Sequence, residues 1–261
     1  VEARIGRTRW DAPDAGADEA FWRAHRETLD AHRPFRDFVF RRVLADGRVV
    51  WISTSGDPVF DENGTFTGYR GSARDVTLEK EAEKRALGIP YRRVVLSVGR
   101  PLHLKGFDLL IRAASSFSED TGVVIVGGEP RKEWLDLAQE VGFDRLRFET
   151  FCSKEDIRRF YRAADVFVLA TRGDVWGLVV NEAMANGLPV VTTLGCVAGC
   201  EMIRDGRSGY LIPCETWEPL AECVNRLLND DALRECVALA GLETVRGYTV
   251  EAMARAHAAL F

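Results

Sequence analysis

Two apolar runs rich in β-branched residues, VFVLA at 166–170 and PVVTT at 189–193, flank one stretch with helical spacing, LVVNEAMA at 178–185. VFVLA does not alternate apolar with polar residues, so it reads as a strand buried on both faces, which is the habit of parallel sheets covered by helices. Gly187 and Pro189 supply the stop between helix and second strand. The unit is strand, loop, helix, strand. From residue 91 onward the same alternation runs through RVVLSVGR, KGFDLLIRAASSF, GVVIVGG, KEWLDLAQEVG, RLRFETF, SKEDIRRFYRAA and DVFVLA, and after the central unit through GYLIP and terminal helices. Such a pattern predicts an α/β fold, a Rossmann-like doubly wound parallel sheet whose ligand crevice lies at the carboxyl ends of the strands.

The chemistry-bearing residues fall at those ends. Gly177 opens the central helix and lets a ligand approach the backbone, and the amides near Gly177, Leu178 and Val179 favour an anion such as a diphosphate. Asp174 in the preceding loop and Glu182 in the helix bracket the same ligand, and carboxylates that accept from neighbouring hydroxyls suit a ribose or hexose. In VGRPLHLKGFDLLI, Arg100 leaves a strand and Lys105-Gly106 open the next helix, so two cations converge on one crevice. Such cations stabilise a diphosphate more as it leaves than while it is still bonded to a sugar. VGGEP ends a strand with Gly127 and Gly128, where a plain tight turn is equally good physics. FETFCSKEDI carries Cys152 and then Ser153, an expected N-cap with Glu155 and Asp156 in the first turn.

The stretch DVWGLVVNEAMANGLPV resembles the signature of retaining family 4 glycosyltransferases, in which a Glu stands eight residues before a second Glu with FGL between them. Here Asp174 takes the first position, Trp176 replaces the Phe, and Glu182 is the second acid. The GR and KG of 98–111 resemble the phosphate clamp of the same family. The resemblance covers 92–261 and implies one half of a GT-B fold, the donor domain for retaining hexosyl transfer. It implies Glu182 on the ribose, Asp174 on the donor sugar, and Arg100 and Lys105 on the leaving diphosphate. It also places Gly127 and Gly128 near the nucleotide, Cys152 and Ser153 in the base-binding loop, and Trp176 to Val179 against the substrate. The donor implied is a UDP-, GDP- or ADP-sugar, with no cofactor and no required metal, and no Asp-x-Asp stands at a strand end. GCVAGCEMIRDGRSGYLI resembles the segment after the acidic motif, with Glu201 matching and Cys196 and Cys200 altering the loop. The family's other domain, which carries the acceptor site, has no counterpart in the sequence, so a partner chain or a missing domain is expected to supply it.

The first 87 residues differ in kind. FWRAHRETLDAH is an amphipathic helix; FRDFVFRRVL and RVVWISTSGDPVF read as alternating strands around the turn ADGR, and DENG marks a hairpin before TFTGYRGSARDVT. This antiparallel α+β module resembles the C-terminal half of a PAS domain from Ile5 to about Lys84, with Asp75 and Thr77 at the family's closing motif. The opening elements that build the PAS cavity have no counterpart, which leaves the pocket incomplete. His25 and His32, seven apart, share a helix face and read as polar surface rather than haem ligands. LEKEAEKRALG is a charged helix ending at Gly88, and Ile89-Pro90 breaks it, so the predicted domains are 1–87 and 88–261.

Composition narrows the classes. A net charge of −5 provides no basic stripe for nucleic acid, and no apolar run approaches the ~18 residues of a membrane span. All six cysteines lie after residue 151 without zinc-ribbon spacing, and they read as reduced, packed thiols of a cytoplasmic protein. The sequence begins without Met or an apolar leader, which reads as a piece of a longer chain. Two readings stand beside the donor domain: a sensory or interaction module fused to a binding-only Rossmann domain, and an inactive truncated fusion.

Overall fold

The computed structural model describes residues 19–43 and 49–249, with positions 252, 254 and 258, and divides into two units, Val1–Ala82 and Glu83–Phe261. Three sequence expectations lie outside the described residues: the stretch from Ile5 up to the first helix, the ADGR turn, and most of the closing helix VEAMARAHAAL.

In the first unit a helix, α1 (Glu19–Asp30), precedes an antiparallel meander of β1 (Phe35–Val43), β2 (Val49–Phe60) and β3 (Phe66–Asp75). The DENG hairpin forms because Asp61 Oδ1 accepts from the amides of Asn63 (2.9 Å) and Thr65 (2.8 Å), while Gly64 takes the left-handed conformation. α1 lays Trp22 edge-on to Phe40 and stacks His25 on Phe38. The two histidines do not share a helix face. α1 ends at Asp30, so His32 sits beyond it and stacks on Phe66, and His25 is buried among aromatic rings rather than on a polar surface.

The charged helix predicted after β3 is α2 (Thr77–Ala86), and Gly88 stops it in the left-handed conformation. Its last turn is built into the second unit. Glu83 accepts from Arg159 at 2.9 Å, and Lys84 donates to the Arg92 carbonyl at 2.5 Å and lies 3.6 Å from Asp165.

Six parallel strands form the second unit: β4 (Arg93–Val98), β5 (Thr121–Val126), β6 (Leu146–Glu149), β7 (Val166–Leu169), β8 (Val190–Thr193) and β9 (Tyr210–Ile212). Their order is β6-β5-β4-β7-β8-β9. Consecutive residues of a strand face opposite sides, so the continuous apolar runs feed two cores. Val166 and Val168 pack with α3 (Phe107–Ala114), α4 (Lys132–Glu140) and α8 (Glu218–Asn229). Phe167 and Leu169 pack with α5 (Lys154–Ala163), α6 (Leu178–Ala185) and α7 (Val197–Met202), while α9 (Asp231–Val245) adds to both layers. Burying each such side chain is worth roughly 1.5–3 kcal/mol. α7 has no counterpart in the sequence reading, because six residues are too few to show a period.

The strand order reverses between β4 and β7, which are neighbours in the sheet although β5 and β6 intervene in the chain. Their outgoing connections run to opposite sides and leave a crevice between them. α3 begins at Phe107 and not at Lys105-Gly106. Gly106 is a left-handed corner between helical turns, where a Cβ would lie 1.8 Å from the Ala170 carbonyl oxygen, so only glycine lets the β4 loop seat on the β7 loop. Among the described residues no helix is long and apolar enough to cross a membrane.

Candidate functional site

The two loops at the reversal meet through charge. Lys105 Nζ, from the β4 loop, lies 2.5 Å from Asp174 Oδ2, from the β7 loop, and each side chain is 18% exposed. Backbone bonds stitch the acidic loop onto the turn after β8: Asp174 N donates to Gly195 O (2.9 Å) and Ala198 N to Trp176 O (2.7 Å). Strand-end threonines add Thr193 Oγ1 to Thr171 O (2.5 Å) and Thr171 Oγ1 to Leu104 O (2.9 Å). Gly177, in the left-handed region, sits on buried Cys196, whose sulfur would be 2.6 Å from an added Cβ. Burial raises the Cys196 thiol pKa, so this cysteine is packing beneath the loop.

One arginine holds the frame. Arg172 donates a parallel pair of bonds to Asp108 (2.9 and 2.7 Å), one to Glu215 (2.7 Å) and one to the His103 carbonyl (2.7 Å). It therefore ties the β7 loop to the β4 loop and α3. Burial by itself would raise the Asp108 carboxyl, but the bonds and charge of Arg172 outweigh it and hold it below the usual carboxylate range.

α6 starts at Gly177 with no side-chain cap, and Val175 and Leu178 beside it are 94% and 67% exposed. Val180 N donates to Gly177 O, while Val179 is half-buried at the helix start. The Trp176 indole turns onto the helix and donates to Asn181 Oδ1 at 2.9 Å. Glu182 stands exposed on α6 and accepts from the hydroxyl of buried Tyr161 at 2.8 Å. Arg100 is exposed after β4 and makes no ion pair among the described residues. The amides of Gly127 and Gly128 both donate to the Glu149 carbonyl (3.0 and 3.1 Å), and Gly127 packs against Gly99, next to Arg100. Ser153 caps α5 by accepting from Asp156 N at 3.1 Å, and half-buried Cys152 donates to Thr150 O.

Of the residues singled out from sequence, Lys105 and Asp174 are brought into contact, and Gly177 to Val179 form the helix start that follows Asp174. Glu182, on α6, and Arg100, after β4, bond no other member of the set among the described residues. A concavity of about 400 Å³ lined by Glu201, Arg204, Arg207, Glu243 and Tyr248 holds none of them; converging charge rather than volume marks the crevice. Sequence reasoning missed Arg172, Asp108 and Tyr161. The two carboxylate partners of Arg172 lie 43 and 64 residues away and leave no local trace. Tyr161 did leave one. The spacing of Ile157, Phe160 and Tyr161 turns it inward, and a buried phenol needs an acceptor.

Comparison with known proteins bears on this geometry. A family model described as glycosyl transferases group 1 matches residues 79–241, and one described as PAS fold matches residues 13–73. A D-inositol 3-phosphate glycosyltransferase of Thermobifida fusca is 34% identical over 183 residues, which cover 64% of this chain and 42% of the relative. The lipopolysaccharide core biosynthesis glycosyltransferase LpsE of Rhizobium meliloti is 30% identical over 184 residues, 70% of this chain and 52% of the relative. The chain thus spans about half the length of these relatives. Among solved structures, the C-terminal domain of a glycosyl transferase group 1 family protein (LpcC) from Francisella tularensis superposes with a TM-score of 0.61 at 28% identity, covering 66% of this chain and 93% of that one.

Proposed function

The chain belongs to the group 1 glycosyl transferases, and from that premise we propose that its second unit binds a nucleoside-diphosphate sugar in the crevice between the β4 and β7 loops and presents it for retaining transfer. The observation that carries this reading is the meeting of Lys105 and Asp174 at the strand-order reversal, beside the uncapped start of α6.

The steps follow from the charges. An entering diphosphate competes with Asp174 for Lys105, and the uncapped α6 amides and Arg100 add further positive potential. Once displaced from Lys105, the Asp174 carboxylate accepts from hydroxyls of the donor sugar. Glu182, on the outer face of α6, accepts from the ribose. As the bond from the anomeric carbon to the diphosphate oxygen breaks, negative charge grows on that oxygen, and fixed cations and amides stabilise it more than they stabilise the intact donor. Because those groups already meet the diphosphate charge, the reading includes no metal. Arg172 contributes indirectly by keeping both loops in register.

Calorimetry with UDP, GDP and ADP tests the proposal. Selective binding of one of them supports a donor site, whereas silence toward all three removes it.

A further inference from the structure

Tyr161 is 1% exposed on the inner face of α5, yet its hydroxyl reaches an exposed residue of α6, donating 2.8 Å to Glu182 Oε2. A buried phenol needs a partner for its polar end, and a backbone carbonyl of the core would serve stability equally well. The partner here is a side-chain carboxylate instead. Burial first, and then the charge and hydrogen bond of Glu182, raise the Tyr161 pKa far above the ordinary tyrosine value, so the hydroxyl remains a donor at any working pH.

Both ends of this bond are rigid. α5 is capped by Ser153, tied to Glu83 through Arg159 (2.9 Å), and buried through Phe160 and Ala163. On α6, Val180, Ala183 and Met184 around Glu182 are fully buried. The carboxylate is therefore held by Oε2, and among the described residues no hydrogen bond reaches Oε1.

We propose that Tyr161 is a positioning residue for donor recognition, holding Glu182 by one carboxylate oxygen so that the other is presented to the ribose diol of the nucleotide. This rests on the reading of Glu182 as the ribose contact. A glutamate left free loses rotamer freedom when it binds, and a carboxylate held in advance has already lost it.

The test uses the 261-residue chain and calorimetry with UDP, GDP and ADP, followed by the 2′,3′-dideoxy analogue of the one bound most tightly. Tyr161→Phe deletes one oxygen and should weaken the diol form on the order of tenfold. The dideoxy form, which also reports that the crevice is intact, should bind Tyr161→Phe as it binds the parent. In a Glu182→Ala background the same substitution should change neither ligand, because the two residues act as one unit. A parent that prefers the diol, with a Tyr161→Phe variant that loses both ligands equally or keeps the same preference, overturns the positioning role and leaves the donor site standing. A parent that binds no nucleotide, or ignores the diol, overturns the reading of Glu182 and the proposal together.

Discussion

Asp174→Asn should tighten the binding of a bare nucleoside diphosphate. Asp174 and Lys105 lie 2.5 Å apart with 18% of each side chain exposed, so the pair is neither a solvated surface bridge nor a fully buried one. At an effective dielectric of about 20, unit charges in contact attract by about 4 kcal/mol or more before desolvation and side-chain entropy are subtracted. Exposed pairs retain about 0.2–1 kcal/mol of this and truncated buried ones several, which puts the net coupling here at about 1–2 kcal/mol. A diphosphate must overcome that coupling to use Lys105. Replacing the carboxylate by an amide removes the competitor, so affinity for bare UDP or GDP should rise roughly 5- to 30-fold. The sugar nucleotide should gain less, since the amide is a poorer acceptor for the sugar hydroxyls. Titration of parent and variant with both ligands at low and high salt measures the two effects, and the gain should shrink as salt screens Lys105. Equal weakening of both ligands, or a bare diphosphate indifferent to the substitution, would refute the exchange of Lys105 from carboxylate to phosphate.

Four further outcomes are expected. Arg100→Ala and Lys105→Ala should each weaken nucleoside-diphosphate binding by about 1.5–3 kcal/mol, the scale of a charge-assisted hydrogen bond; calorimetry showing parental affinity would remove the clamp. Affinity in EDTA should equal that in Mg²⁺, because fixed cations and helix amides carry the diphosphate charge, and a loss restored by metal would contradict this. Asp108 has a depressed pKa when folded, so its contribution to stability is present above the unfolded value near 3.9 and is lost as pH falls through the folded one. Asp108→Asn should therefore cost about 1–2 kcal/mol at neutral pH, since Arg172 keeps Glu215, and flatten acid denaturation curves; a variant as acid-sensitive as the parent would exclude the pair as a cause. Finally, the 261-residue chain should bind a sugar nucleotide yet show at most slow hydrolysis, because it spans 42% and 52% of two relatives and acceptor positioning accounts for several powers of ten in rate. Multiple turnovers of glycoside product would mean that the first unit supplies an acceptor wall.

What the sequence determined by itself was whatever short-range physics writes locally. VFVLA is continuous because both faces of β7 are buried, Ser153 announces α5 because a free amide three residues on needs its oxygen, and DENG turns because Asp61 can reach two amides ahead. The alternation of strand and helix likewise implied a parallel sheet, and the order of the acidic motif put Asp174 in the loop after β7 and Glu182 on α6. Tertiary structure decided the rest. Lys105 and Asp174 are 69 residues apart, and Arg172 and Asp108 are 64 apart; both contacts exist because β4 and β7 are neighbours, a fact about strand order that no local period encodes. His32 showed the reverse failure, in which a seven-residue spacing counted as a helix face although α1 had already ended. Periodicity reports which face of an element is buried, whereas which charged groups share a crevice depends on how the elements are ordered when two apolar faces of one sheet must both be covered.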